Sequence, residues 1–330
     1  MNIQSYGTLF ASSFIATILL TYILTKYLPL VGLVDVPSMR RSHKNITPRG
    51  GGLAIVLVAI IAFSIFEYVT SSNFTHSVKI LPLLFIIASV SFWDDLKPVS
   101  VVIRLIVHLV CSACVILLFF PLDLTIYYHI FIYVLFVIAL TGFINIYNFM
   151  DGIDGMSCIE SIHLSITMLI LSRLQLPLLA YPDFIININI IILACSVGFL
   201  IFNWHPAKIF LGDVGSISLG FLTGICLLNL AITNTHLFIA CFIASLYYVT
   251  DAVLTILIRL LNKEKIWQPH LKHFFQKAVQ KGKSHKQVVS IIAICNIFLM
   301  ILSIISLYFP IISLMLALAT IILTVQSLLK

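Results

Sequence analysis

The sequence has few charged residues and no cysteine pattern of the kind that holds small secreted domains together. Only 9% of its 330 residues are charged and 61% are hydrophobic, whereas about 25% of an ordinary globular protein is charged. A soluble fold of this size could not cover its surface with so few charges. The composition excludes a soluble enzyme, a nucleic-acid-binding domain and a disordered chain, and it predicts an integral membrane protein.

The cysteines and the N-terminus support this interpretation. Seven cysteines are scattered through apolar runs, and their odd number argues against a disulfide framework. The first residues carry no Lys or Arg before the apolar stretch, whereas a cleavable signal peptide has a positive n-region. We therefore expect an uncleaved first helix with its N-terminus outside.

Apolar runs long enough to cross a bilayer recur along the chain. Hydropathy predicts about eleven transmembrane helices, at roughly 8–33, 51–69, 79–93, 104–120, 127–144, 156–174, 184–202, 216–232, 237–257, 287–308 and 310–329. The fold class is thus an all-α polytopic membrane protein, and we expect one integral membrane domain over residues 1–330.

The loops between these runs alternate in character. Those on one side are short and plain, whereas those on the other side hold nearly all the polar residues, at 34–49, 94–103, 145–155, 203–215 and 259–286. These five loops, with Arg104 at the edge of one, hold 15 of the 19 Lys and Arg residues. Because positive residues mark cytoplasmic loops, we expect a site on the cytoplasmic face.

Carboxylates and amides cluster in these polar loops. Asp94 and Asp95 are adjacent at a helix end, where they require a cation, a donor or a shared proton at neutral pH. A second loop holds Asn148, Asp151 and Asp154 beside glycines. The bland alternatives are a solvated pair at the helix end for the first two and turn chemistry for the last two.

Asp213 lies in a third polar loop, between two glycines and at the start of a helix. Oxygen donors of this kind suit Mg²⁺, which takes one or two protein oxygens and completes its shell with water and substrate phosphates. The alternative for Asp213 is an N-terminal helix cap.

Basic residues on the same side could bind phosphate. They form three groups: Arg40, Arg41, His43, Lys44 and Arg49; Arg104 alone; and His270, Lys272 and His273. Taken singly, each group is explained by the positive-inside rule or by contact with anionic lipid. Together with the oxygen donors they predict phosphoryl transfer between a phosphorylated lipid and a soluble diphosphate, a reaction that needs mainly positioning, metal and cations.

Five motifs follow one another through the polar loops. They are Ser42-His-Lys44 with Thr47-Pro-Arg-Gly-Gly-Gly52, Asp94-Asp-Leu-Lys-Pro98, Asn145-Ile-Tyr-Asn148 with Asp151-Gly-Ile-Asp154-Gly155, Asn203 with Phe210-Leu-Gly-Asp213-Val-Gly-Ser216, and His270-Leu-Lys-His273. In this order they resemble the polyprenyl-phosphate N-acetylhexosamine-1-phosphate transferases. These bacterial enzymes start lipid-linked O-antigen, teichoic acid and peptidoglycan intermediates.

The resemblance implies a reaction and its partners. A HexNAc 1-phosphate would pass from a UDP-sugar to undecaprenyl phosphate, with release of UMP, at the cytoplasmic face of the bacterial inner membrane. Mg²⁺ would be the cofactor, with Mn²⁺ as an alternative. The partners would be these two substrates and membrane lipids, with no nucleic acid and with a homodimer as one oligomeric state. Direct attack and a covalent aspartyl intermediate both remain open.

The resemblance also implies roles for individual residues. Asp94 and Asp95 would be catalytic, and either could be the base. Asp213 would bind the metal with Asn148, and Arg104 and Lys97 would bind the lipid phosphate. The nucleotide and sugar would be bound by Lys44, Asp151, Asp154, Asn203, His270, Lys272 and His273.

One motif departs from the family pattern. Where other members carry a denser histidine cluster, this chain has His270-Leu-Lys272-His273, so one imidazole is replaced by an amine. The run from His270 to His285 resembles the O-antigen branch that uses 6-deoxy-HexNAc donors such as UDP-QuiNAc or UDP-FucNAc. UDP-GlcNAc is the alternative donor. The peptidoglycan branch is disfavoured because its Pro-Thr-Met-Gly-Gly and triple-histidine patterns are absent.

Two other functions compete with this interpretation. A transporter or flippase would place ionisable or helix-breaking residues near the bilayer midplane, whereas the spans here are apolar apart from few residues such as Glu160 and Asp251. We interpret Asp251 as a buried polar contact near the cytoplasmic end of its helix. A CDP-alcohol phosphotransferase would require Ala-Arg soon after Asp151-Gly152, and the sequence continues differently.

Overall fold

The computed structural model describes residues 3–35, 46–71, 75–120, 127–265, 268 and 270–330. Thirteen α-helices account for most of this part of the chain: α1 (Ile3–Tyr27), α2 (Gly52–Ser71), α3 (Ser77–Leu96), α4 (Val101–Phe119), α5 (Tyr127–Met150), α6 (Met156–Leu174), α7 (Pro182–Asn203), α8 (Asp213–Ala231), α9 (Thr235–Ala244), α10 (Leu246–Leu261), α11 (Phe274–Gln280), α12 (His285–Ile305) and α13 (Pro310–Leu329). Two short strands, β1 (Val34–Asp35) and β2 (Thr47–Pro48), pair in antiparallel register.

Within the described residues, ten helices are long and apolar enough to cross a membrane, or eleven if α9 and α10 form one broken span. The all-α polytopic class is therefore confirmed. The prediction of one continuous helix over 237–257 is wrong, because this stretch forms two helices, α9 and α10, that meet at an angle of 69°. Ser245 lies at the junction, and its hydroxyl donates to the Cys241 carbonyl oxygen at 3.1 Å. A serine bonded back to the preceding turn commonly bends a helix.

The helices differ sharply in how much protein surrounds them. In α8, 89% of the span is buried inside the protein, against 67% in α7 and 28% in α4. Helix α8 packs against α5, α3, α9 and α2. The residues that begin α8 are therefore held in the centre of the bundle, at the end where the polar loops meet.

Three helices extend further into the polar motifs than the sequence predicts. Helix α3 continues through Asp94 and Asp95, α5 continues through Asn145 and Asn148, and α8 begins at Asp213. Both α3 and α5 pack along α8, and this packing carries helical structure past the end of the apolar run. The polar side chains of these segments therefore stand on helix ends that the core holds in place.

Close glycine contacts join the loop before α2 to the loop before α8. The Gly51 amide donates to the Phe210 carbonyl oxygen at 2.9 Å, and the Gly52 amide donates to that of Leu211 at 2.8 Å. A Cβ on Gly52 would lie 2.1 Å from the Gly215 Cα, so no larger residue fits. This contact brings Arg49 next to the start of α8.

Candidate active site

Two arginines and three aspartates from four segments form one ion-paired group, which we call the arginine cluster (Arg49, Asp94, Asp95, Arg104 and Asp213). The Arg49 guanidinium lies 2.6 Å from Asp95 and 3.3 Å from Asp213. The Arg104 guanidinium lies 2.5 Å from Asp94 and 3.1 Å from the second oxygen of Asp213. Both oxygens of Asp213 therefore face a cation, and the cluster joins α3, α4 and α8 to the loop that precedes α2.

Asp95 holds the first turn of α8. Its two oxygens accept the backbone N–H groups of Asp213 and Val214, each at 3.1 Å, and its side chain is fully buried. A carboxylate at this place satisfies free amides at the helix start and is favoured by the helix dipole. Gly212 is required beside it, because a Cβ there would lie 2.7 Å from the carboxylate and the residue has φ +76°. Asp95 thus positions Asp213.

Asp94 has a different set of contacts from its neighbour. One oxygen accepts the Val99 backbone N–H at 2.6 Å, and the other pairs with Arg104. Asp94 therefore fixes the turn between α3 and α4 and aims Arg104 at Asp213. The two adjacent carboxylates that the sequence could not distinguish hold different helices.

A cleft of about 280 Å³ opens beside the arginine cluster. Among the described residues that line it are Arg49, Asp151, Asp154, Asn203, Asp213 and Gln276. Asp94 and Asp95 are not among those lining residues. The cleft therefore brings together predicted metal and nucleotide residues from two motifs, and the predicted catalytic pair lies outside its lining.

Asp151 is the carboxylate in the cleft with the most unusual environment. It accepts a hydrogen bond from the Ser157 hydroxyl at 2.7 Å. Burial raises the pKa of the Asp151 carboxyl to about 7, and the negative charges of Asp213 and Asp95 act in the same direction. The neutral form of Asp151 is therefore more favoured near neutral pH than that of a free carboxyl group, while the protein is free of metal.

The charges around the cleft suit a divalent cation. When all are ionised, Asp151 and the arginine cluster contain four carboxylates and two guanidinium groups, so two negative charges are left over. Asn148 stands close by, because its amide donates to the Ser216 hydroxyl at 3.0 Å near the start of α8. Carboxylate and amide oxygens are ligands that Mg²⁺ accepts, and Asp213, Asp151 and Asn148 are the groups here that could provide them.

Asp154 turns away from this cluster toward two histidines that the sequence analysis did not select. Its carboxylate lies 2.6 Å from His205 Nδ1 and 3.2 Å from His285 Nδ1, and it accepts the Ala207 N–H at 3.2 Å. Although burial opposes the charge, these contacts hold the pKa of Asp154 below its usual value. Both oxygens are occupied, and its predicted contact with the nucleotide stays a prediction.

Asn203 closes the wall of the cleft near Asp154. Its side-chain oxygen accepts the Gly155 N–H at 3.0 Å, and its amide donates to the Ile209 carbonyl oxygen at 2.9 Å. Asn203 therefore acts as a brace between the loop after α5 and the loop after α7. Its predicted nucleotide contact also stays a prediction.

Asp251 anchors the loop that carries the histidine motif. This buried residue of α10 lies 3.0 Å from His273 Nδ1 and accepts the backbone N–H groups of Phe274 and Phe275 at 3.0 and 3.3 Å. It therefore holds the start of α11, whose Gln276 lines the cleft. The interpretation of Asp251 as a buried polar contact agrees with this geometry.

The other residues of the motif stand at the surface side of His273. The His270 ring stacks on the His273 ring with centroids 4.9 Å apart, and burial lowers the pKa of His270 to about 4. The exposed Lys272 amine pairs with Glu264 at 2.5 Å. His270 is therefore neutral at physiological pH, and Lys272 brings the positive charge of this motif.

One of the two lysines predicted to bind substrate, Lys97, lies apart from these contacts. Lys97 ends α3 with an exposed side chain. Lys44 lies outside the described residues, as do Arg40, Arg41 and His43. His205 and His285 were not predicted as site residues, because their sequence signal is weak. Each is a histidine at the polar end of a span, where a solvated ring is the simpler expectation.

Comparison with known proteins defines the class of this protein. The glycosyl transferase family 4 profile matches residues 77–231, which include α3 to α8 and hold Asp94, Asp151, Asp154 and Asp213. This part of the chain is therefore similar to that family, and the protein is an enzyme of the phosphoglycosyltransferase class.

Relatives of known name show the same similarity. A probable undecaprenyl-phosphate N-acetylglucosaminyl 1-phosphate transferase of Bacillus subtilis is 29% identical over 298 residues, which cover 86% of this chain and 80% of that protein. A phospho-N-acetylmuramoyl-pentapeptide-transferase of Streptococcus agalactiae is 29% identical over 200 residues, covering 53% of this chain and 56% of that protein. The one from Streptococcus thermophilus is 30% identical over 220 residues, covering 58% and 62%.

Proposed function

We propose that this chain transfers an N-acetylhexosamine 1-phosphate from a UDP-sugar to undecaprenyl phosphate and releases UMP. The single observation that carries the proposal is the cleft between Arg49, Asp151 and Asp213, placed at the end of the most buried helix of a polytopic bundle. A lipid phosphate and a soluble nucleotide can meet there. The names of the relatives support undecaprenyl phosphate as the acceptor.

The proposed reaction exchanges one phosphorus–oxygen bond for another. An oxygen of the lipid phosphate bonds to the sugar-bearing phosphorus of the UDP-sugar, and the bond from that phosphorus to the bridging oxygen breaks. The bridging oxygen leaves with UMP, and the lipid keeps a diphosphate-linked sugar. A phosphate monoester has a second pKa of about 6, so the attacking oxygen carries no proton at neutral pH and needs no general base.

The aspartate pair then has a positioning role. Asp95 holds Asp213 through the first turn of α8, and Asp94 holds Arg104. A direct attack leaves these contacts in place, whereas an aspartyl intermediate on Asp95 would have to remove a buried carboxylate from three partners. We therefore assign the pair to positioning and the transfer to a direct displacement.

Mg²⁺ fits the two unbalanced negative charges around the cleft, with Asp213 and Asn148 as its protein ligands and Mn²⁺ as an alternative. When bound, it would supply positive charge to the diphosphate oxygens. Arg104 would contact the lipid phosphate, with Lys97 as a second cation at the end of α3. Arg49 and the loop that begins at His270 would face the nucleotide and sugar.

The cellular role proposed from the sequence is the first membrane step of O-antigen or related envelope polysaccharide synthesis. The donor would be UDP-GlcNAc or a 6-deoxy-HexNAc such as UDP-QuiNAc or UDP-FucNAc. The site would face the cytoplasm in the bacterial inner membrane, with the N-terminus outside, since the polar loops hold 15 of the 19 Lys and Arg residues.

UMP release from the purified protein tests the proposal. The assay contains undecaprenyl phosphate, Mg²⁺ and one of these three UDP-sugars, and its controls omit the lipid or replace Mg²⁺ with EDTA. We expect UMP that depends on both the lipid and the metal, with one donor preferred. UMP release that continues without lipid, or protein that stays folded yet inactive with every donor, would contradict the proposed reaction.

A further inference from the structure

Three residues from separate parts of the chain meet beside the cleft, and we call them the histidine cluster (Asp154, His205 and His285). Asp154 lies in the loop after α5, His205 follows α7, and His285 is the first residue of α12. One ligand atom from each residue lies within 4.8 Å of the other two. Among the described residues, no other group of three or more His, Cys, Asp or Glu side chains meets this condition.

The cluster is enclosed by protein. The side chains of Asp154 and His285 are 6% and 5% exposed, whereas that of His205 is 36% exposed. The His285 Nε2 atom is buried and makes no hydrogen bond to the described residues, so the polar contacts of its ring run through Nδ1. The cluster therefore has two fixed members and one member, His205, that reaches the surface.

We propose that Asp154, His205 and His285 form a binding site for a divalent transition metal ion of the Zn²⁺ class. Two imidazole nitrogens and one carboxylate oxygen are a donor set that Zn²⁺ prefers, and a set of three protein ligands leaves one position for water. Mg²⁺ prefers oxygen ligands alone, so the donor chemistry separates this site from the one proposed at Asp213.

The distances suit such an ion. Ligand bonds of about 2.0–2.1 Å in tetrahedral geometry place neighbouring donor atoms about 3.3 Å apart. Asp154 Oδ1 lies 3.2 Å from His285 Nδ1, which is close to that spacing. His205 Nδ1 contacts the other oxygen, Asp154 Oδ2, at 2.6 Å, so the partly exposed His205 ring has to turn for its Nδ1 to share an ion with Oδ1 and His285. The ion would replace the direct contacts between the imidazoles and the carboxylate.

Proton balance gives the site a pH dependence. Each Nδ1 atom that binds the ion must carry no proton, so any proton on it is released to solvent when the metal binds. Arg49 lines the cleft but pairs with Asp95 and Asp213. Within the cluster, the Ala207 N–H donates to Asp154 Oδ2, and the Asp154 N–H donates to His285 Nδ1 at 3.4 Å. Affinity is therefore expected to fall as the pH is lowered from 8 to 6.

A bound ion would join three segments that frame the cleft. It would connect the loop after α5, the loop after α7 and the start of α12, which otherwise meet through hydrogen bonds and ion pairs. Because metal that binds only the folded state adds to its stability, the ion would raise the melting temperature. The site goes beyond the proposed transferase activity and does not rest on it.

Calorimetric titration of Zn²⁺ into the purified protein tests this proposal. The protein is untagged, because a histidine tag would bind the ion, and it is stripped with chelator and held in excess Mg²⁺ to occupy oxygen-only sites. We expect one saturable Zn²⁺ event in the wild type, weaker at pH 6 than at pH 8, and a Zn²⁺-dependent rise in melting temperature. Both signals are expected to be lost in His205→Asn.

Matched variants separate the cluster from other ligands. His285→Asn removes the second imidazole, and His236→Asn removes an exposed one elsewhere, so the first is expected to abolish the event and the second to leave it unchanged. Asp213→Asn is expected to keep Zn²⁺ binding and to lose activity. Equal Zn²⁺ binding by wild type and His205→Asn, or no saturable event in the wild type, would overturn the site whatever the outcome of the UMP assay.

Discussion

Asp151 and Asp154 stand three residues apart in one loop, yet their carboxyl groups are held in opposite ways. Asp151 faces the arginine cluster, where burial and other carboxylates raise its pKa to about 7. Asp154 faces His205 and His285, and contacts with them hold its pKa below the usual value. One turn of backbone thus separates a carboxylate that resists ionisation from one whose ionised form is stabilised.

The difference lies in the partners that the fold supplies. Arginine stays charged at every physiological pH, and both arginines of the arginine cluster are already shared among Asp94, Asp95 and Asp213. Asp151 is left with excess negative charge around it, which a divalent cation and its bound phosphates could balance. Asp154 has its own two imidazoles and no such excess. Asp151 is therefore suited to binding a substrate complex, and Asp154 is suited to holding the cleft together.

The largest expected effect comes from removing the charge at Asp213. Asp213→Asn should lower kcat for UMP release by about 10²–10³-fold, because the proposed Mg²⁺ loses its carboxylate ligand and the diphosphate loses the positive charge of that ion. The measurement is UMP release at saturating substrate, with melting temperature as the check on folding. Asp183→Asn removes an exposed carboxylate at the far end of α7 and should leave kcat unchanged. Full activity in Asp213→Asn would remove it from the site.

Arg104 tests which substrate the arginine cluster serves. Arg104→Ala should raise the KM for undecaprenyl phosphate by about 10-fold or more, the loss expected for one charge-assisted contact worth roughly 1.5–3 kcal/mol. The KM for the UDP-sugar should change little. Arg173→Ala, at an exposed position at the end of α6, is the matched control. An equal rise in both KM values would argue against a contact with the lipid phosphate.

Asp154→Asn tests the contacts of Asp154 with His205 and His285. Asp154→Asn should lower the melting temperature, because the two imidazoles lose the carboxylate that they share and a buried contact of this kind is worth about 1–3 kcal/mol. For a chain of this size each kcal/mol corresponds to roughly 2–4 °C or less. Scanning fluorimetry at pH 7.5 in detergent measures the shift. A melting temperature equal to that of the wild type would show that the carboxylate does not tie α12 to the loop.

Much of this fold follows from the sequence, since apolar runs longer than a bilayer crossing allow little besides helices. The spans and the polar side of the chain were predictable on that basis. The break at Ser245 was not, because a single serine in an apolar run carries little signal. The division of labour between Asp94 and Asp95 depends on how α3 packs against α8, and the meeting of His205 with His285 joins residues 80 positions apart. Such long-range contacts leave no local pattern in one sequence.

The smallest effect, and the one of opposite sign, is expected at Asp151. Its pKa of about 7 in the folded protein lies above the value of about 3.9 for an unfolded chain. The stability that the neutral carboxyl contributes is therefore fully present below pH 4 and is lost as the pH rises through 7. Asp151→Asn keeps the side chain neutral, so without divalent cations it should melt a few degrees above the wild type at pH 8, where roughly 2–4 °C corresponds to 1 kcal/mol.

Mg²⁺ then separates two explanations of that difference. If excess negative charge in the cleft is the cause, Mg²⁺ should stabilise the wild type at pH 8, because the cation balances the charge that Asp151→Asn removes. The difference in melting temperature between the wild type and Asp151→Asn should then become smaller. Asp154→Asn should gain no such advantage at pH 8, with or without Mg²⁺. A lower melting temperature for Asp151→Asn than for the wild type at pH 8 in EDTA would mean that the ionised carboxylate stabilises the fold. In that case the Ser157 hydrogen bond and Arg49 would stabilise the ionised form of Asp151 more than the neighbouring carboxylates destabilise it. Asp151 would then resemble Asp154, whose ionised form is stabilised.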